Sequence, residues 1–329
     1  MVLPPSARPD VLPTDRLLTN GMAVPSLRPG LRRIANWRNA LSVVVLWAWV
    51  IGVVWLAVWL DNPFAYLAAF VVMGPLYVRF AILMHEAAHK MLFTDKRFND
   101  WVGTWLIAYP AFTPIGLYRR GHFAHHREEF GPQEPDLAFY GGYRCTRAAL
   151  RRRLLRDAVG ISGWKNFKVL LKSLRSTSFR RIGLSILGVQ AVMWAVAWVA
   201  TGRWWIYPLL WWLPWMTQWR VLNRLRSISE HGGLEAGSDR RVTTHNVRQS
   251  LGARLWLVPY NTGWHLAHHV DMGVPWRNLR AFHAELVRAG YVTEELTYPS
   301  YRALWRALSA APELPVAPEA AGGPEAAAA

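Results

Sequence analysis

Four stretches of this chain are apolar over the length of a membrane-crossing helix. Residues 40–60 carry no charge, and at 1.5 Å per residue about twenty such residues cross a hydrocarbon core roughly 30 Å thick. The turn Asp61-Asn62-Pro63 leads into 64–84, interrupted only by Gly74-Pro75, a predicted kink, and by Arg79. That arginine lies near the end of its helix and can extend its head group to the interface. A second pair repeats the layout: 182–200, a turn at Thr201-Gly202-Arg203, then 204–222. Pro208 and Pro214 are tolerable there because neighbours in a bilayer can satisfy the freed carbonyls. Residues 101–118 are apolar but broken by Gly103, Pro110, Pro114 and Gly116. They predict a re-entrant or interfacial segment, not a fifth crossing. The pattern therefore predicts an all-α membrane protein built on two transmembrane hairpins, four spans in all.

Composition sharpens this. Of 329 residues, 52% are hydrophobic, and twenty are tryptophan, gathered toward helix ends as an aromatic belt would be. The formal net charge of +17 does not imply a nucleic-acid partner, because the basic residues flank the apolar spans. The two hairpin turns hold only Arg203, whereas the arm before the first span, the long middle segment and the stretch from Arg220 to Arg226 are rich in arginine and lysine. By the positive-inside rule these segments are cytoplasmic, which puts both termini on that side of an inner or plasma membrane. Cys145 is the only cysteine, so neither an intrachain disulfide nor a thiolate metal site is expected. The first residues lack the charged-then-apolar layout of a cleaved signal peptide. Residues 1–25 and 311–329, rich in proline, alanine and polar residues, predict disordered ends around one membrane domain, 26–310. Residues 146–181 mix Arg and Lys with Leu, Ile, Phe and Trp, as helices lying on an anionic inner leaflet do.

The chemistry is in the histidines. Eight of eleven fall in three short boxes: His85-Glu-Ala-Ala-His89, His122-Phe-Ala-His125-His126 and His265-Leu-Ala-His268-His269. Residues three and four apart share a helix face, so each box can aim two or three imidazoles at one point. Iron, copper, zinc and nickel all accept imidazole, and three converging boxes offer too many ligands for one tetrahedral ion. A two-metal centre against the membrane follows, and all three boxes fall on the predicted cytoplasmic side. His231, just after the last span, emerges at the same height and is a candidate ninth ligand. Glu86, Glu128, Glu129, Asp136 and Glu230 are candidates to orient imidazole N–H groups. His245 and His283 are expected to be ordinary hydrogen-bonded histidines.

Rival readings exist. His85-Glu86-Ala-Ala-His89 alone matches the zinc-protease pattern, but a zinc hydrolase needs only three protein ligands and gives no role to two further boxes. A membrane protein that stores or moves metal is a non-enzymatic alternative.

The three boxes, their order, the paired hairpins, Ser-Glu230-His231-Gly ahead of the last box and Val274-Pro-Trp-Arg-Asn-Leu279 after it resemble the integral-membrane fatty acid desaturases and their hydroxylase and ketolase relatives. The resemblance covers roughly residues 40–283. It implies four transmembrane helices under a cytosolic helical cap that holds two non-haem irons. By match of motif, His85, His89, His122, His125, His126, His231, His265, His268 and His269 would be the ligands, with no catalytic residue beyond the metal centre. O₂ would be co-substrate, and a ferredoxin-, rubredoxin- or cytochrome b5-like donor would supply electrons. The implied reaction removes two vicinal hydrogens from the acyl chain of a lipid or fatty acyl substrate. Hydroxylation or ketolation by the same centre is the alternative. The acyl tail would enter from the membrane past 101–118 and Trp211, Trp212 and Trp215. One departure stands out: many relatives carry a leucine, an aromatic residue and a proline after the last box, whereas here Val270-Asp-Met-Gly273 follows.

Overall fold

The computed structural model describes residues 8, 10–11, 13–132 and 134–310, and the regular structure of the described chain is almost all helix. Helix α1 (Asn36–Leu60) ends on Asp61 in the left-handed region. Helix α2 (Pro63–Ala88) begins at once, with Pro63 in its first turn and the Asn62 side chain accepting from the Ala65 N–H. Both are standard helix-terminus devices, and they make the first hairpin as tight as expected. Helix α7 (Arg180–Thr201) likewise ends on left-handed Gly202, whose N–H bonds the Trp198 carbonyl. At the hairpin tips Arg203 pairs with Asp61 at 2.6 Å, so the two turns lie side by side.

Among the described residues, three stretches are long and apolar enough to cross a membrane: Arg28–Leu60, Pro63–Ala88 and Arg180–Thr201. They play different parts. Helix α2 is buried on nearly every side from Gly74 to Ala88, as befits a helix apolar all round. By contrast α1 and α7 turn Trp49, Trp55, Trp59, Val192 and Val196 outward, and Val199 is 86% exposed. Apolar surface on that scale marks a membrane-facing wall.

The expected fourth span is not one straight helix. A π-helical turn, Pro208–Trp212, leads into α8 (Leu213–Met216); the helix then breaks at Thr217 and resumes as α9 (Gln218–His231). The break falls three residues after Pro214, which has no N–H for the ladder, and there the Leu213 carbonyl accepts from both the N–H and the hydroxyl of Thr217. At Pro75 the α2 ladder likewise lacks an N–H, and Gln218 donates to the nearby Phe70 carbonyl at 2.6 Å.

The broken apolar stretch also resolves into helices. Helix α3 (Lys96–Val102) widens into a π-turn, Gly103–Ala108, the chain reverses over 109–114, and α4 (Ile115–Arg127) carries the second box. Carbonyls freed by the reversal are met by side chains: Gln190 donates to Tyr109 O and Trp211 to Pro110 O. That is what irregular backbone in apolar surroundings requires.

Helices α5 (Arg147–Ala158) and α6 (Ile161–Ser173) follow, as the amphipathic pattern predicts. Gly163 of α6 sits against the break between α8 and α9, where an added Cβ would lie 2.2 Å from the Met216 carbonyl oxygen. Because that neighbour is backbone, Gly163→Ala is expected to destabilise by on the order of 1–3 kcal/mol. A lowered thermal midpoint in detergent would show it; an unshifted one would mean that the helices separate freely.

Beyond the spans, α10 (His265–Val270) and α11 (Leu279–Arg288) pack with the N-terminal arm, and α12 (Tyr301–Leu308) packs with α9. A two-residue parallel ladder joins Asn246–Val247 to Thr297–Tyr298. The arm corrects the expectation of disorder up to residue 25. Leu17 bridges to Ala23, is 1% exposed, and packs with Phe282 and Leu286, while Arg16 pairs with Glu285 at 2.7 Å. A few apolar residues in a polar, proline-rich segment suffice once α11 supplies the facing surface. Residues 1–7 and 311–329, where disorder was also expected, lie outside the described residues.

Candidate metal centre

The last turn of α2 carries His85, with His89 as its C-cap. Lys90, in the left-handed region, turns the chain away. Arg119 holds this terminus by donating to the Ala87 and Ala88 carbonyls at 2.9 and 2.8 Å, and to Asp100 at 2.6 Å. Gly103 lets the π-turn close on the same place, since a Cβ there would meet Ala87 Cβ at 2.5 Å. Helices α4 and α10 bring the second and third boxes, and His231 is the final residue of α9.

The nine histidines converge and sort into two adjacent groups. In the first, ligand atoms of His85, His89, His122, His126 and His268 all lie within 4.8 Å of one another. Their Nε2 atoms touch in series: His89–His122 at 2.8 Å, His122–His126 at 3.1 Å, His126–His268 at 3.0 Å and His268–His85 at 3.1 Å. The second holds His125, His231 and His269 within the same limit. His265 adjoins it, its Nε2 lying 3.1 Å from His231 and 3.0 Å from His269. The rings of His126 and His269 meet between the groups, centroids 4.4 Å apart.

Helix geometry explains the sorting. Successive residues turn by about 100°, so i+4 lies about 40° to one side of i and i+3 about 60° to the other; all three share a face, but the i+3 and i+4 rings lean toward its opposite edges. His122 and His126 thus enter the first group and His125 the second; His265 and His269 enter the second and His268 the first. Each His-x-x-His-His box serves both groups.

Donor chemistry fits a cation in each. A neutral imidazole has one N–H and one lone pair, so His122, His126 and His268, each facing two other Nε2 atoms, cannot hydrogen-bond to both neighbours with a single Nε2. Inward lone pairs around an ion would account for all the contacts. Burial holds His122, His126, His231, His265, His268 and His269 well below the ordinary histidine range, so these rings are neutral near pH 7, the form that binds metal. Burial opposes charge on His125 too, but its hydrogen bond to Glu134 and the charges of Glu134, Asp136 and Glu129 together outweigh it, and its pKa is raised.

Outer nitrogens differ between the groups. In the second, His125 Nδ1 lies 2.8 Å from Glu134, His269 Nδ1 2.5 Å from Glu129, and His231 Nδ1 2.8 Å from the Thr243 carbonyl. Such partners hold Nδ1 protonated and aim Nε2 inward. Glu129 is itself gripped by Arg240 at 2.6 Å. In the first group, by contrast, His85 Nδ1 and His268 Nδ1 have no hydrogen-bond partner among the described residues.

Most of the chain, residues 61–302, matches the family model for fatty acid desaturases. The chain belongs to the fatty acid desaturase family. It is 24% identical to an sn-1 oleoyl-lipid 12-desaturase of Arthrospira platensis, over 84% of this chain and 83% of that one. It is 22% identical to a chloroplastic omega-6 fatty acid desaturase of Brassica napus, over 77% of this chain and 60% of the plant enzyme. A dihydrorhizobitoxine desaturase of Bradyrhizobium elkanii is 26% identical over 59% of each chain. The chain thus spans less than two thirds of the length of the last two. Family membership makes the protein an oxidoreductase, and the histidine groups are its metal-binding feature.

Within this desaturase the carboxylates only partly follow expectation. Glu230 lies 3.6 Å from His265 Nδ1 and pairs with Arg226 at 2.7 Å. Glu86 sits 3.7 Å from His85 Nδ1 and accepts from the Trp276 N–H. Asp136 lies beside His125 and Glu134, with no hydrogen bond to a ring. Glu128 caps α4 and is 3.7 Å from Arg127, and among the described residues it joins none of the ligand groups. The next residue, Glu129, faces inward instead, because neighbours on an irregular chain end point to different sides. Glu134 and Arg240 went unrecognised, since only the folded loop brings them to the rings. His245 bonds the Gly232 carbonyl and His283 stacks on Trp264, both outside the groups.

One cavity opens beside the rings, and a second lies among the apolar helices. The first, of about 210 Å³, is lined by His122, His125, His231 and His265 and by the polar face of α9. The other, about 420 Å³, is apolar and lies between α7 and the π-turn, with Phe112 and Trp212 in its wall. Phe112 stacks on Trp215 at 4.3 Å. Trp211 is buried against Tyr77 and Phe80 instead of lining either cavity.

Proposed function

We propose that this desaturase holds two non-haem irons, one in each histidine group, and introduces a double bond into the acyl chain of a lipid or fatty acyl substrate. O₂ is the oxidant, and a small external carrier supplies the electrons. The observation that carries this reading is the division of nine imidazoles into two adjoining inward-facing sets. A single zinc site would leave most of them unused. When bound, the irons supply the O₂-dependent oxidising power that no side-chain acid or base has.

The chain's own residues do the rest. Glu129, Glu134 and the Thr243 carbonyl fix tautomer and ring direction in the second group, and Arg119 and Asn99 hold the end of α2 by its carbonyls. The apolar cavity takes a lipid tail from the bilayer, and the smaller one brings part of the substrate beside the rings. In this reading four crossings form the base, the last in broken pieces, and 101–118 is re-entrant. The arginine-rich segments keep the centre on the cytoplasmic side.

Desaturation is favoured over hydroxylation by the similarity to the three relatives above, all of them named as desaturases. The test compares lipids of a host with and without the gene, with and without O₂, alongside metal analysis of the purified protein. New O₂-dependent unsaturation and iron near two per chain are expected. Oxygen from O₂ retained in the product would replace desaturation with hydroxylation; one zinc and no iron would reject the centre.

A further inference from the structure

The cavity beside the histidines is more polar than an alkyl chain requires, and the polarity lies on one helix face. Arg220, Asn223, Ser227 and Glu230 of α9 all line it, spaced three, four and three residues apart, so they form a single stripe. Most charges nearby are matched: Arg224 pairs with Asp157, and Arg226 with Glu230. Arg220 differs. Among the described residues it makes no hydrogen bond or ion pair. Its guanidinium lies over the Trp215 ring, 4.1 Å from the centroid, and its Nε is shut off from solvent without a partner. The side chains of Asn223 and Ser227 likewise bond nothing among the described residues. A guanidinium within the apolar segment 204–222 is costly, and such a residue implies a partner.

We propose that Arg220, with Asn223 and Ser227, binds an oxyanion of the substrate, a carboxylate or a phosphate. A planar guanidinium suits either one, and the amide and hydroxyl along the stripe supply further hydrogen bonds. Charge sets the direction. Asp136 and Glu230 stand at the histidine end of the cavity, so the anionic group lies at the Arg220 end, about 16 Å along α9 from His231. Trp215, beneath Arg220, stacks on Phe112 in the wall of the apolar cavity. The anionic group is therefore held where the two cavities approach each other. This rests on the smaller cavity being the substrate cavity.

The test is binding of oleate, oleyl phosphate and methyl oleate to the iron-loaded protein in neutral detergent at pH 8.5. Wild type is expected to bind an anionic probe at least about tenfold more tightly than the ester. Arg220→Gln is expected to erase that preference while leaving ester affinity and iron content intact; Arg220→Lys is expected to keep part of it. Tighter binding of oleate than of oleyl phosphate assigns a free acid, and the reverse order a phosphate. Equal binding of acid and ester by wild type overturns the proposal, as does an unchanged preference in Arg220→Gln. If Arg220→Gln loses iron or does not fold, Asn223→Leu decides: a weaker preference supports the site, and an unchanged one rejects it. Because the readout is binding, failure of desaturation leaves the result interpretable, while turnover without the anion preference rejects only this site.

Discussion

Replacing His231 by alanine is expected to lower turnover by at least about 100-fold and to bring iron toward one per chain, while the protein still inserts. His231 is the only imidazole that α9 contributes, and it stands outside the three boxes. Its Nε2 lies 3.1 Å from that of His265, and its Nδ1 is fixed on the Thr243 carbonyl at 2.8 Å. Loss of an outer-shell partner alone typically costs 10–100-fold in metal affinity or activity, so loss of a ring from a set of four should cost at least the upper figure. The first group has five rings of its own and should keep its ion. His283→Ala is the control, because that ring stacks on Trp264 and touches neither group. Full iron and activity in His231→Ala would remove His231 from the centre.

Glu129→Gln is expected to cost about 10–100-fold in activity or in iron affinity, against less than about twofold for Glu128→Gln. Glu129 lies between two partners, His269 Nδ1 at 2.5 Å and Arg240 Nη1 at 2.6 Å. The glutamine is nearly isosteric, so packing survives, but the negative charge that both partners face is gone. An uncompensated Arg240 then sits beside a cationic centre. Iron content and turnover of the two variants, measured together, decide the matter. Equal effects would mean that the carboxylate facing the ring is not the one the structure indicates.

Much of this protein was legible in its residues. The uncharged run 40–60 and the turn Asp61-Asn62-Pro63 could hardly be anything but half of a hairpin. The repeated His-x-x-His-His spacing announced metal binding whatever the tertiary fold. Composition misled in the arm, where Leu17 and Ala23 look too sparse to fold until α11 meets them. At 204–222 the apolar run also hides a break, which falls at Thr217, shortly after Pro214.

The histidine boxes, as candidate ligands, and the apolar helices that carry them could be read from the residues alone, because hydropathy and helical spacing are local properties of the chain. Which imidazole joins which group, that Glu129 faces a ring, and that Arg220 has no polar partner among the described residues emerge only once the chain is folded. Those outcomes depend on how helices distant in sequence are rotated against one another, and no local pattern encodes that rotation.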